Sequence, residues 1–265
     1  MDRTDVAYMI NTTPKYFFML ELHLTLLQRY APQLKWPIYL VTEEPEHPQI
    51  IELKAQFPHI ITTPLTQDKE AFLESRAEGT RLLPPHIKYV FPIQEDFLLE
   101  GRPIEKIIQE SLDMMDEFSS LSSMRLMPCP GPKGFQSFGE TAWQKLDFNL
   151  DSYVFTYQAT LWRRGPYQTF MDTLIEEIEK MYPGPKTPKQ KVNLQIRMNL
   201  GEVEFGQKIL QRIPGNHLAW PREGLQPNAV YLCAWPYRPT AIVQGRTESW
   251  ALELGRRERV VLPSA

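Results

Sequence analysis

The opening of the chain, as far as Thr42, constrains the fold more than any other part. An apolar run, "DVAYMI", ends at the polar turn "NTTPK". The segment "YFFMLELHLTLLQRYA" follows, and then a second apolar run, "WPIYLVT". Phe17, Leu20, Leu24, Leu27 and Ala31 recur at three- and four-residue spacing, which places them on one face of a helix. Thr13 suits the N-cap of that helix and Pro14 its first position. The flanking runs are short and apolar, as buried strands are. A strand–helix–strand unit closes with a right-handed crossover and makes a parallel sheet.

The pattern continues. A helix-like segment near 48–57 leads to the strand "HIITTPL". "QDKEAFLESRAEGTRLLPP" reads as helical in its first part, and "IKYVFPI" as a fourth strand. "RPIEKIIQESLDMMDEF" carries Ile104, Ile107, Ile108, Met115 and Phe118 on one side and predicts a helix. "SSLSSMRLMP" and "SYVFTYQATLWRR" read as strands, and "GPYQTFMDTLIEEIEKMY" as a helix with Phe170, Leu174, Ile178 and Met181 inward. "VNLQIRMNL" fits helix and strand equally; "AVYLCAWPY" and "TAIVQGR" read as late extended segments. The expectation is an α/β chain with a Rossmann-type nucleotide-binding half and a mixed sheet running into an α+β half. Neither GxGxxG nor GxxxxGK[ST] occurs, which argues against a dinucleotide enzyme or a P-loop NTPase.

Composition narrows the class. The formal net charge of −3 argues against a general nucleic-acid binder. Two cysteines are too few for a disulfide framework, so a reducing, cytoplasmic setting is expected. The start "MDRTDVAYMI" reads as neither signal peptide nor anchor, and no apolar run has transmembrane length. The five histidines are expected at the surface or in loops, in structural roles. No Cys/His group has zinc spacing, and Cys129 has no base near it in sequence.

One segment resists a purely structural reading. In "KYVFPIQEDFLLEGRP" an apolar strand runs into Gln94-Glu95-Asp96 and then back into Phe97-Leu98-Leu99. Buried charge needs a partner: an arginine, a helix terminus or a metal ion. Ligands of open α/β sheets collect at the C-terminal ends of the strands, where these residues fall. A diphosphate brought there would be repelled by carboxylates unless a divalent cation came between them. Mg²⁺ and Mn²⁺ take such mixed shells of carboxylate, phosphate and water oxygens. The competing reading is a structural ion pair or a helix cap.

"YVFPIQEDFLL" resembles the short acidic motif of GT-A-fold glycosyltransferases, closest to small bacterial and large-DNA-virus members with a "QEDF" or "QEDM" segment. "YQATLWRR", "EVEFG" and "AIVQGR" resemble further segments of such proteins, in the same order. The resemblance covers most of the chain. It implies a GT-A-like single domain over 1–265, with 1–100 binding the nucleotide-sugar and 101–265 binding the acceptor and ending in a lid. It also implies a UDP- or GDP-sugar donor, Mn²⁺ or Mg²⁺, and a glycan or glycoconjugate acceptor.

Carried onto this sequence, Asp96 fits the metal-binding position of the motif, while Gln94 replaces its usual first carboxylate. Glu95 ligates through water or shapes the turn. Asn11, Thr12, Thr13, Thr42 and Glu43 would face the nucleoside. Gln158 and Trp162 are candidates to hold donor or acceptor sugar, against a reading as core residues. Glu202 or Glu204 would be the general base of an inverting transfer, and Arg246 would close over the diphosphate. Two rivals stand beside this reading: a non-catalytic nucleotide-sugar-binding protein, which the Gln94 departure keeps open, and a sugar nucleotidyltransferase. The second would need a glycine-rich loop where "INTTPK" stands.

Overall fold

The computed structural model describes residues 2–66, 71–127, 132–134, 136–151, 153–187, 189–190, 193, 202, 204–219 and 233–263. Four parallel strands form one half of the main sheet: β1 (Val6–Asn11), β2 (Ile38–Thr42), β3 (Ile60–Pro64) and β4 (Tyr89–Gln94). The other half contains β6 (Leu121–Arg125), β7 (Gln144–Lys145), β8 (Thr160–Arg163) and β9 (Asn216–Ala219). The order is β3-β2-β1-β4-β8-β6-β9-β7. β8 runs antiparallel to both β4 and β6, which it joins. This is a mixed α/β fold with a mostly parallel central sheet, consistent with the Rossmann or GT-A-like arrangement that the strand–helix alternation predicts. Two small sheets lie outside it: β5 (Leu98–Leu99) pairs with β10 (Tyr237–Arg238), and β11 (Ile242–Val243) with β12 (Arg246–Thr247).

Helices cover both faces, and the period-two pattern of the strands sorts residues between them. Val6, Tyr8 and Ile10 point into one core cluster, while Ala7 and Met9 point into the other. The first cluster is closed by α1 (Leu20–Tyr30), α4 (Glu105–Glu117) and α7 (Ser249–Glu258). The second is closed by α3 (Phe72–Leu82), α5 (Arg164–Met181) and α6 (Glu204–Leu210). α2 (Pro48–Gln56) lies beside the first cluster, to which Ile50 and Leu53 belong. All six residues of β1 are buried, as a strand covered on both faces requires.

Several expectations change. Thr13 and Pro14 begin a 3-10 helix, Pro14–Met19, rather than α1 itself, and Thr13 makes no side-chain cap. The part of "SYVFTYQATLWRR" before Thr160 is not strand: residues 153–159 turn, and only Thr160–Arg163 pairs in the sheet. Aromatic and β-branched residues there mimic a strand, but they pack instead of pairing. Met181 ends α5 exposed, at 44%. His23 and His217 are buried, not superficial. "VNLQIRMNL", apart from Asn193, and the first part of "AVYLCAWPY" lie outside the described residues, as does Cys129.

Helix α3 packs very close to β2. A Cβ on Gly79 would lie 2.6 Å from Val41 Cγ1, closer than real Cβ contacts occur. Gly79→Ala should therefore lower the unfolding free energy by about 1–3 kcal/mol, despite alanine's better helix propensity. Urea unfolding checks this; an unchanged or higher midpoint would show that α3 has slack against the sheet.

Candidate functional site

Strand β4 delivers Gln94 to the C-terminal edge of the sheet, directly beside Asn11 of β1. The chain then turns, with Phe97 N–H donating to Gln94 O at 3.1 Å. Two side chains hold the turn from below. His23 Nδ1 lies 3.1 Å from Glu95 O, and its Nε2 lies 2.8 Å from the Tyr8 hydroxyl. A carbonyl can only accept, so Nδ1 carries the proton and Nε2 accepts from Tyr8. Burial lowers the His23 pKa to about 4, so the ring stays neutral at physiological pH. From the C-terminal side, Ala241 N–H donates to Asp96 O at 3.1 Å and Ile242 N–H to Asp96 Oδ2 at 3.4 Å.

The turn keeps two adjacent carboxylates nearly out of water: Glu95 is 7% exposed and Asp96 9%. Burial, reinforced by Asp96, pushes Glu95 up to about 8. Burial pushes Asp96 up to about 6. Amide donors and Arg76 pull the other way without cancelling the loss of water. Among the described residues no group of three or more His, Cys, Asp or Glu side chains could hold a metal ion. What the turn offers is a pair of adjacent carboxyl groups, of which Glu95 lines the neighbouring cavity while Asp96 does not. Such a pair suits a hard divalent cation which completes its shell from phosphate and water.

The cavity, about 400 Å³, opens at the strand ends. Asn11, Thr12, Thr13, Lys15 and Tyr16 form one wall, Phe72, Ser75 and Arg76 of α3 another, and Gln94 with Glu95 the floor. Both polar atoms of the Asn11 amide, and the Thr12 hydroxyl, are buried without a hydrogen-bond partner among the described residues. Native proteins seldom leave such groups unpaired unless something else supplies the partner.

Arg76 is the residue that a linear reading misses. It is 4% exposed, and its guanidinium lies 3.5 Å from the Phe72 ring centroid and 5.2 Å from that of Tyr157. Nη1 donates to Phe72 O at 3.0 Å. Burial lowers its pKa, while Glu95, Glu202 and the nearby tyrosines oppose that shift. It makes no contact ion pair among the described residues, and it is one of the residues that line the cavity. In the sequence it is one arginine in a polar helix, with no signal that α3 turns it inward.

The turn at 156–158 adjoins this group. Glu202 Oε1 accepts from Thr156 Oγ1 and from Tyr157 N–H, each at 2.8 Å. Gln158 is half-buried, and its side-chain carbonyl accepts from the Tyr237 hydroxyl. The structure thus brings Asn11, Thr12, Thr13, Gln94, Glu95 and Asp96 together, with Glu202 in electrostatic reach of Arg76. Thr42 is buried and Glu43 half-buried at the end of β2, and neither lines the cavity; Thr42 Oγ1 accepts from Glu44 N–H at 3.3 Å. Trp162 is fully buried between Phe155, Tyr167 and His217, with no surface to offer a sugar. Arg246 is exposed on β12. The hairpin tip at Gly245 nonetheless approaches Lys15, whose Nζ would lie 3.5 Å from an added Cβ. Glu204 opens α6, and its side chain lies outside the described residues.

No protein-family model and no curated protein matches the sequence. Among solved structures, S. aureus TarS 1-349 in complex with UDP is 12% identical over 77% of this chain and 55% of that one, with a TM-score of 0.43. The apo-form glycosyltransferase GlyE of Streptococcus pneumoniae TIGR4 is 14% identical over 99% of this chain and 66% of that one, at 0.41. A 4-diphosphocytidyl-2C-methyl-D-erythritol synthase from Anaerococcus prevotii DSM 20548 is 13% identical over 74% and 83%, at 0.40. The chain spans about half the length of the TarS 1-349 structures, 48% and 46% in two further matches. Likeness this distant carries no argument about activity.

The raised carboxyls give stability a defined pH dependence. The native protein keeps the Glu95 proton up to about 8, whereas the unfolded chain loses it near the ordinary value of 4.5. Native protein therefore binds more protons across that window, and stability falls as pH rises through it. Glu95→Gln should flatten this fall, so the variant gains more at about pH 8 than at about pH 5. Urea midpoints at the two pH values check it; an equal effect at both would contradict the burial of an ionisable Glu95.

Proposed function

We propose that this chain is a GT-A-like glycosyltransferase. It would move a sugar from a UDP- or GDP-sugar to a hydroxyl of a glycan or glycoconjugate, with inversion, using Mn²⁺ or Mg²⁺. One observation carries the reading: Glu95, buried next to the buried Asp96, lines a cavity that also holds a buried guanidinium with no contact ion pair among the described residues, and amide and hydroxyl groups with no hydrogen-bond partner there. A nucleoside diphosphate has matching chemistry, with a polar base edge for Asn11 and anionic oxygens for Arg76 and Lys15. The ordered sequence resemblance points the same way.

The chain's own groups divide the work. Asp96, with Glu95 beside it, would hold the cation; when bound, the cation neutralises the charge that develops on the leaving diphosphate. Arg76 is fixed on the Phe72 ring and adds a second positive charge without needing to reorganise. Glu202 has one oxygen held by two donors, which fixes its plane and leaves Oε2 to take the acceptor's proton. The acceptor oxygen then bonds to the anomeric carbon, the bond from that carbon to the diphosphate oxygen breaks, and the electron pair leaves with the diphosphate. Glu204 keeps the alternative role of base. Thr42 and Glu43 are not among the residues that line the cavity and would contribute at the nucleoside's far side. A cytoplasmic location is part of this reading; no helix among the described residues is long and apolar enough to cross a membrane.

Calorimetry with UDP- and GDP-sugars, with and without Mn²⁺, followed by an assay of donor hydrolysis, tests the proposal. The expected result is metal-enhanced binding with slow hydrolysis. Asp96→Ala should abolish the metal dependence. Arg76→Met should weaken nucleotide binding roughly 10- to 100-fold, the usual worth of a charged hydrogen bond. Full metal-dependent activity in Asp96→Ala would sink the assignment, and tight binding without turnover would favour a non-catalytic binding protein.

A further inference from the structure

The turn at 156–158 touches three groups that the sequence keeps far apart. On one side the Tyr157 ring meets Phe72 edge-on at 5.2 Å and lies beside Arg76 of the cavity wall. In the middle, Thr156 and the Tyr157 amide hold Glu202. On the other side Gln158 meets Tyr237, whose ring stacks on Phe97 at 5.3 Å and 25°. Phe97 directly follows Asp96. The chain of contact therefore runs from cavity to candidate base to Gln158, and returns through Tyr237 and Phe97 to the acidic turn.

Tyr237 does more than fill space. Ala159 N–H donates to its hydroxyl oxygen at 3.3 Å. That occupies a lone pair and directs the hydroxyl proton to the side-chain carbonyl of Gln158. A Gln158 amide whose oxygen is committed in this way has its orientation set, and its NH₂ group points away from Tyr237. The backbone of Gln158 is fixed as well, since its N–H donates to Thr156 Oγ1 at 3.2 Å. The Tyr237 ring is held by its stack on Phe97, and its backbone by pairing with Leu99.

We infer that Tyr237 is a positioning residue for a sugar subsite: it fixes the Gln158 amide as a hydrogen-bond donor to a hydroxyl of the hexose carried by the diphosphate. This deepens, and rests on, the nucleotide-sugar reading of the cavity. A sugar attached to a diphosphate there must lie between the acidic turn and the base that activates its acceptor. Gln158 is the amide side chain on the turn that links those two places. Tyr237 comes from the C-terminal segment, so sugar recognition depends on that segment staying docked on the acidic turn.

The test separates nucleotide from sugar. Dissociation constants are measured by calorimetry in Mn²⁺ for UDP, UDP-glucose, UDP-galactose and UDP-N-acetylglucosamine, and for GDP and GDP-mannose, on the full chain. The variants are Tyr237→Phe, which keeps the ring and its stack, Gln158→Ala, and the double variant. The ratio of nucleotide to nucleotide-sugar affinity reports the sugar contact. We expect the ratio to fall roughly three- to tenfold in each single variant, the worth of one hydrogen bond, with no further fall in the double. Affinity for the parent nucleotide should not change. An unchanged ratio in either single variant, or no sugar preference in the unaltered protein, overturns the subsite alone. Parallel weakening of parent nucleotide and nucleotide-sugar also overturns it, because that pattern marks a structural role. Absence of any nucleotide binding overturns the reading of the cavity, and the subsite with it.

Discussion

Two carboxylates held side by side out of water set the terms for the rest of this molecule. A chain does not bury adjacent charges at the end of a central strand without either neutralising them or anchoring the backbone that carries them. Here it does both in part. Burial lifts Glu95 to about 8 and Asp96 to about 6, so each more readily keeps its proton when nothing cationic is near. The backbone of the turn is pinned by His23 on Glu95 O and by Ala241 on Asp96 O. Arg76 adds a buried positive charge without contacting either carboxylate as an ion pair. The turn is thus kept in place while its charge remains only partly balanced.

The topology explains why these residues meet. Parallel β1 and β4 lie in register, with Asn11 opposite Gln94, so both strands deliver their next residues to the same edge. Gly79 lets α3 approach β2 closely, and the same helix carries Arg76 and Phe72 to the cavity wall. Antiparallel β8 pairs directly with β4. The turn leading into β8 therefore emerges beside the acidic turn, bringing Thr156, Tyr157 and Gln158 with it. The sheet positions the site, and loops at one edge supply its chemistry.

Much of this was legible in the sequence wherever the information is local. β1 to β4 and helices α1, α4 and α5 follow from apolar periodicity, and the acidic turn stands out because its charge interrupts an apolar run. What the sequence hides is non-local. Arg76 reads as a solvated helix residue until α3 is packed against the sheet. His23 is satisfied in the interior by a carbonyl 72 residues away, and Gln158 accepts from a hydroxyl 79 residues away. Trp162 was ambiguous for a physical reason: an indole suits a sugar face and a core equally well, and only the register of β8 places it inward. The turn at 153–159 looks like a strand because its aromatic residues are those that strands prefer.

The central claim is that the acidic turn and the Arg76 cavity together form one diphosphate–cation site. Anomalous diffraction from crystals of the protein grown with UDP and Mn²⁺ tests this most directly. The account predicts a manganese peak bonded to an Asp96 carboxylate oxygen, with the diphosphate bridging from that ion toward Arg76 and the nucleoside against Asn11. Nucleotide bound elsewhere on the molecule, or manganese located away from Asp96 while nucleotide fills the cavity, would contradict it.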